Sequence, residues 1–265
     1  MRLPSLTPSY PVAPRAAVRL LSTARSQLPL FSPSDLMLFA ESPWASWMER
    51  HSRERPDHPL SLRADPPDPF LQMLGQKGDT CEAALLQDAF VSQGVAVIDL
   101  SAERGTKEAR ARRTALALAE RPDIIYQAPL LDRGFFGVAD FLVRDPSSGC
   151  YTVWDAKLSR TARPQHALQL CCYADMLGAL QPAPPETLGL VLGGSIEHVL
   201  PLRLEQYAAH YRHVRDAFLR FHAQYDPAAA QRAKSTPPVF QRGRRTRGRR
   251  PGTRRPRAAG LELQA

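Results

Sequence analysis

Residues 135–157 read FFGVADFLVRDPSSGCYTVWDAK. Two runs rich in aromatic and β-branched residues, Phe135 to Val143 and Tyr151 to Leu158, flank Asp145-Pro146-Ser147-Ser148-Gly149-Cys150. Pro and Gly stand there where turns use them, so the stretch predicts a β-hairpin. If Asp145 faces Cys150, paired positions sum to 295 and Asp140 falls opposite Asp155. Opposite residues of an antiparallel pair share a face, with Cβ atoms about 5 Å apart. Two carboxylates that close repel each other unless positive charge lies between them, and a divalent cation is the obvious candidate. Lys157 is two residues beyond Asp155, so its side chain emerges on the same face. Val138, Phe141, Val143, Val153 and Trp154 make both strands apolar on both sides. That favours a buried pair of acids over charges at the edge of a surface hairpin.

Working outward, helix and strand patterns alternate. Ser32-Pro33-Ser34-Asp35 opens a helix that Ser34 is expected to cap, and Ser42-Pro43-Trp44 opens another. Residues 52–69 are a polar, Pro-rich connection. From Phe70 to about Gln93 the spacing of Leu71, Leu74, Leu85, Leu86 and Phe90 predicts one helix, with Gly78 as an interruption that would move its start to near Thr80. Val95 to Leu100 is a strand, Lys107 to Arg121 a helix, and Ile124 to Leu130 a strand. After the hairpin come a helix from Pro164 to Leu180, a buried strand from Leu188 to Leu192, and an amphipathic helix from Leu204 to about Tyr225.

The chain carries a net charge of +9, unevenly spread. Residues 227–265 hold eleven Lys and Arg against Glu262 alone, and residues 1–31 hold four Arg and no acid. Residues 32–226 therefore sum to −5, so the folded part is mildly acidic and only the tail has the charge of a nucleic-acid binder. The expected organisation is a disordered or targeting segment over 1–31, one domain over 32–226, and a disordered Arg-rich tail over 227–265. Arg15 to Arg25 has the composition of a basic amphipathic helix, which leaves a mitochondrial transit peptide as the alternative to a cytoplasmic protein.

Cys81, Cys150, Cys171 and Cys172 form no C-x-x-C pair, so neither a zinc site nor a disulfide framework is expected, and a reducing compartment fits best. No apolar run is long enough for a membrane span. His210 and His213 are three apart on one helix and read as ordinary surface histidines rather than a metal site. Gly189 to Gly194 lacks the spacing of a phosphate loop.

Three segments together carry a resemblance: Gly137-Val138-Ala139-Asp140, then Trp154-Asp155-Ala156-Lys157, then Gln169 to Ala174. They resemble successive motifs of RecB-like nucleases in the PD-(D/E)XK superfamily. Gln169 and Tyr173 match the Gln and Tyr that those families carry four apart after the D-x-K strand. Gly78-Asp79-Thr80-Cys81-Glu82 matches an earlier G-x-x-H-E motif, except that Cys81 stands where His is usual. Ser32 to Leu36 and Ser42 to Met48 also look like the opening of a bacterial RecB-like family, so the resemblance spans about residues 32–225.

The resemblance implies a three-layer, restriction-endonuclease-like α/β fold, with a central mixed β-sheet flanked by helices. It implies Mg²⁺- or Mn²⁺-dependent hydrolysis of DNA in repair, recombination or defence, with a helicase or other repair protein as partner. Glu82, Asp140, Asp155 and the carbonyl of Ala156 would hold the metal, and Lys157 would assist the chemistry. Gln169 and Tyr173 would either touch DNA or brace the sheet. With no Cys after Cys172, an iron–sulfur cluster of the kind some relatives carry is not expected. The alternative is a non-catalytic remnant of such a nuclease that binds DNA or RNA through its tail. Asp140, Asp155 and Lys157 all being present favours the enzyme.

Overall fold

The structure is a computed structural model that describes residues 29–63 and 68–227. The expected helix within residues 15–25 and the tail beyond Pro227 lie outside them. Six strands are hydrogen-bonded in chain order: β1 Val97–Asp99, β2 Ile124–Asp132, β3 Phe135–Arg144, β4 Tyr151–Lys157, β5 Thr187–Leu192 and β6 Val199–Arg203. The β1–β2 and β4–β5 pairs are parallel and the other three antiparallel, which makes a mixed, open sheet. The helices are α1 Pro33–Glu41, α2 Pro43–Glu54, α3 Pro69–Ala89, α4 Lys107–Glu120, α5 Pro164–Gly178 and α6 Leu204–Ala223. The sequence reading missed β6, a five-residue edge strand with Pro201 in its middle that pairs with Gly189. Such a strand has no period-two pattern strong enough to stand out.

The hairpin register is the one the turn dictates. Phe141 pairs with Trp154, Leu142 with Val153 and Val143 with Thr152, and the Asp145 N–H donates to the Cys150 carbonyl at 2.8 Å. Alternation then sorts the side chains onto two faces. Leu142, Val153 and Leu190 join the larger core with Leu36 of α1, Ala117 of α4, Leu170 of α5 and Phe218 of α6. Phe141, Ile124 and Val191 join a smaller core, with Leu85 of α3 and Phe90. Helices thus cover both faces.

Local chemistry sets the helix ends. Ser32, rather than Ser34, caps α1: its hydroxyl accepts the Asp35 N–H while the Asp35 carboxylate accepts the Ser32 N–H, a capping box. Ser42 caps α2 by accepting from the Ala45 N–H. The third helix runs unbroken through Gly75 and Gly78. Only its C-terminal half packs, however: Leu71 is 64% exposed, so its place in the apolar spacing did not mean burial. The core also begins earlier than residue 32, since Phe31 is buried and bridges to Phe135.

Between α2 and the end of α6 lies a buried polar seam. The Ser46 hydroxyl is 2.9 Å from His222 Nε2, Arg50 donates to the His222 carbonyl at 2.6 Å, and His51 Nδ1 is 3.1 Å from the Tyr225 hydroxyl. His51 Nε2 and His222 Nδ1 are buried without a hydrogen bond. Among the described residues, no helix is long and apolar enough to cross a membrane, and all four cysteines are free.

Candidate functional site

The β3–β4 ladder ends at Phe141–Trp154, one residue short of the two acids. The expected face-to-face pairing of Asp140 with Asp155 is not continued there. Instead the Asp140 carboxylate takes the place of a backbone carbonyl, and its Oδ2 accepts the Ala156 N–H at 2.8 Å. The neighbouring strand is interrupted at the same level. Tyr126 pairs with Phe141 and Ala128 with Ala139, but Gln127 between them is unpaired and sits in the left-handed region at φ 49°. A non-glycine residue held there costs on the order of 1–3 kcal/mol. The distortion changes face on both strands. Ile125 and Ala128 share the larger core although three apart, and so do Ala139 and Leu142. Strict alternation would separate each of these pairs. Gln127 and Asp140 are the points of reversal.

The reversal frees Gln127 to reach α3, where its amide donates to Glu82 Oε1. Glu82, Asp140, Ala156 and Lys157 then line one cleft of about 310 Å³, together with Cys81 and Gly194. Cys81 occupies the position expected of a His, and its Sγ fills the space that a side chain at Gly194 (φ 70°) would need. Asp155 does not line this cleft. It is 1% exposed, sealed behind Lys157, whose Nζ is 2.9 Å from Oδ1 and 2.7 Å from Oδ2. Only the first contact has hydrogen-bond alignment, so Oδ2 remains a buried oxygen without a hydrogen bond.

The electrostatics follow from that crowding. Burial raises the Asp140 carboxyl well above the carboxylate range, and the charges of Asp155 and Glu82 add to the effect. Lys157 and the Ala156 N–H oppose it. Burial also raises Glu82, against hydrogen bonds from Gln127 and Tyr126. Asp155 is raised by burial and held back by Lys157. One buried and two half-buried acids therefore face a single ammonium.

Gln169 and Tyr173 stand elsewhere. Neither lines the cleft. The buried Tyr173 hydroxyl donates to the Val138 carbonyl at 2.8 Å, and Gln169 is hydrogen-bonded to Tyr173. Tyr173 lies so close over Gly137 that a Cβ there would come within 2.8 Å of its ring. The pair ties α5 to β3 just before Asp140, which is bracing. Tyr126 and Gln127 were not found from sequence. The available signal was the polar Gln127 inside the apolar run from Ile124 to Leu131.

The donors suit a hard divalent cation in kind, being carboxylates with excess negative charge. The Cys81 thiol does not. Among the described residues, no three His, Cys, Asp or Glu side chains converge into a ready coordination group. Gln127, the Ala156 N–H and Lys157 engage Glu82, Asp140 and Asp155 respectively. No family model matches this chain, and no curated protein matches it.

Proposed function

We propose that the cleft is the active centre of a divalent-metal-dependent deoxyribonuclease with a restriction-endonuclease-like fold. The observation that carries this reading is the buried Asp155, ion-paired through both oxygens to Lys157, directly behind the cleft that Lys157, Asp140 and Glu82 line. Gathering one buried and two half-buried acids around one base does little for stability, since desolvation of charge outweighs most of the pairing. Strain at Gln127 adds to the cost. Such an arrangement makes sense as a site for a reactant.

Glu82, Asp140 and Asp155 would hold Mg²⁺ or Mn²⁺, helped by the Ala156 carbonyl. When bound, such an ion supplies positive charge against the scissile phosphodiester and makes water a better nucleophile. Lys157 is the group positioned to donate hydrogen bonds to the attacking water and to the oxygen on which charge develops. Its ammonium is held by Asp155 and about a quarter exposed, so it is oriented yet reachable from the cleft. Tyr173 and Gln169 fix the strand that presents Asp140. DNA repair, recombination or defence is the setting this chemistry fits, in the cytoplasm or, with a transit peptide, in mitochondria. A helicase or other repair partner and RNA contact through the tail belong to the same proposal.

The remnant reading has one observation in its favour: each carboxylate already has a protein partner. A cleavage assay decides between the two readings. Plasmid and end-labelled oligonucleotides are incubated with Mn²⁺, Mg²⁺ or EDTA. The enzyme reading expects products with Mn²⁺ or Mg²⁺, none with EDTA, and none from Asp155→Asn under any condition. Intact substrate with wild-type protein and either metal would establish the remnant.

A further inference from the structure

A second, open cleft of about 480 Å³ adjoins the first, lined by Arg160, Leu192, Gly193, Ser195 and His198. Consecutive glycines line the two, Gly194 the carboxylate cleft and Gly193 this one. Their wall is stapled together. The Gly193 N–H donates to both the Lys157 carbonyl (2.9 Å) and the Ser159 carbonyl (3.1 Å), joining the loop after β4 to the loop after β5. Gly193 and Gly194 both have positive φ, at 63° and 70°, a conformation that leaves this corner to glycine. The missing side chain at Gly193 matters, because a Cβ there would lie 3.3 Å from Arg160 Cγ. Arg160 thus lays its stem along Gly193.

Among the described residues, no acid forms an ion pair with Arg160, whereas Lys157 in the next cleft is paired with Asp155. The Ser195 hydroxyl accepts the Glu197 N–H at 3.3 Å, so its own proton is available to a ligand. The pocket is thus lined by a guanidinium unpaired among the described residues, a hydroxyl and an imidazole, groups whose N–H and O–H donors suit an anion. A planar guanidinium fork matches a phosphate better than an ammonium does.

We infer that Arg160, Ser195 and His198 form a phosphate subsite that binds a nucleic-acid strand one step along from the carboxylate cleft. The inference rests on the proposed nuclease function for the identity of the strand. It gives that strand a course across the ends of β4 and β5, and makes Arg160 a residue for substrate binding.

The test uses the full chain in EDTA and a short fluorescent oligothymidylate, with affinity measured over a range of salt. The tail is present in every sample, so differences between variants report the cleft. Arg160→Ala should weaken binding and flatten the dependence of log K on log salt by about 0.7, the single-strand value for one phosphate contact. Arg160→Lys should restore the slope but only part of the affinity, and His198→Ala should weaken binding. Inorganic phosphate should compete only far above the oligonucleotide concentration. Unchanged affinity and slope in Arg160→Ala would overturn the subsite, as would inorganic phosphate competing as well as the oligonucleotide. Parallel Mn²⁺ assays separate this from the nuclease reading. Wild-type cleavage with no change of KM or binding in Arg160→Ala sinks the subsite and leaves the nuclease. A binding defect in Arg160→Ala without wild-type cleavage upholds the subsite and sinks the nuclease.

Discussion

Asp155 and Lys157 are not equivalent halves of an ion pair. The carboxylate is 1% exposed on its side chain and the ammonium 26%. Removing the lysine strands a buried charge, while removing the acid leaves an ammonium that can turn toward water. In EDTA, Lys157→Ala should therefore melt below Asp155→Asn. The difference should be about 1–3 kcal/mol, less than for a fully buried pair because Lys157 is partly solvated. Thermal unfolding of the two variants checks this, and equal melting temperatures would show that the pair is not the local counter-charge. Addition of Mn²⁺ extends the test. Stabilisation by the ion should survive in Lys157→Ala, since an ammonium is no ligand, and disappear in Asp155→Asn. That Asp140, Asp155 and Lys157 lie at the same end of one hairpin was legible from residue spacing, because a turn of known length fixes the register; the direct pairing of the two acids was not met. What spacing could not show is that Asp140 would leave the ladder and accept a backbone N–H. That depends on Gln127 reversing the next strand, and a positive φ at a non-glycine residue has no sequence signature.

The elements themselves were mostly legible. The order of strands β1 to β5 and helices α1 to α6 follows from apolar periodicity, and the Ser42-Pro43 start of α2 carries its own signature, whereas the cap of α1 is Ser32 and not the expected Ser34. The tertiary role of a helix was less so. The apolar residues near the start of α3 suggested burial, yet they are exposed, because amphipathic spacing does not name the surface a helix will meet. The α2–α6 seam was equally hidden, being made of residues more than 170 positions apart. It has a consequence for pH. Burial lowers the His222 imidazole from 6.5 to about 4, with Arg50 contributing. His51 is lowered by burial too, with His58 and Arg55 adding to it. A folded-state pKa below the unfolded one means that the unfolded chain binds more protons between the two values. Stability contributed by neutral His222 is then fully present above about pH 6.5, falls as pH drops toward 4, and levels off below that. The loss is on the order of 3 kcal/mol. Melting curves from pH 7.5 to 4 should show this decline in wild type and a shallower one in His222→Gln. Parallel curves would mean that the seam does not titrate.

At the scale of the whole chain, charge is partitioned between a domain of net −5 over residues 32–226 and a tail of net +10 beyond it. Sequence-independent binding should follow the tail, because counterion release scales with the number of phosphates neutralised. Deleting residues 227–265 should remove most of the salt-sensitive affinity for DNA, measured by fluorescence anisotropy at two salt concentrations. A truncated protein that binds as tightly at low salt would place the contact on the domain instead. Sheet architecture carries a separate consequence at this scale. The sheet is open, so its two outer strands could in principle recruit a strand from another molecule. One outer strand, β1, is only three residues long. The other, β6, has Pro201 at its centre, which lacks an amide hydrogen. Neither rim offers the long row of free donors and acceptors on which chains stack into fibrils. Among the described residues, the sheet therefore has little means of polymerising through its backbone, even where many copies crowd together.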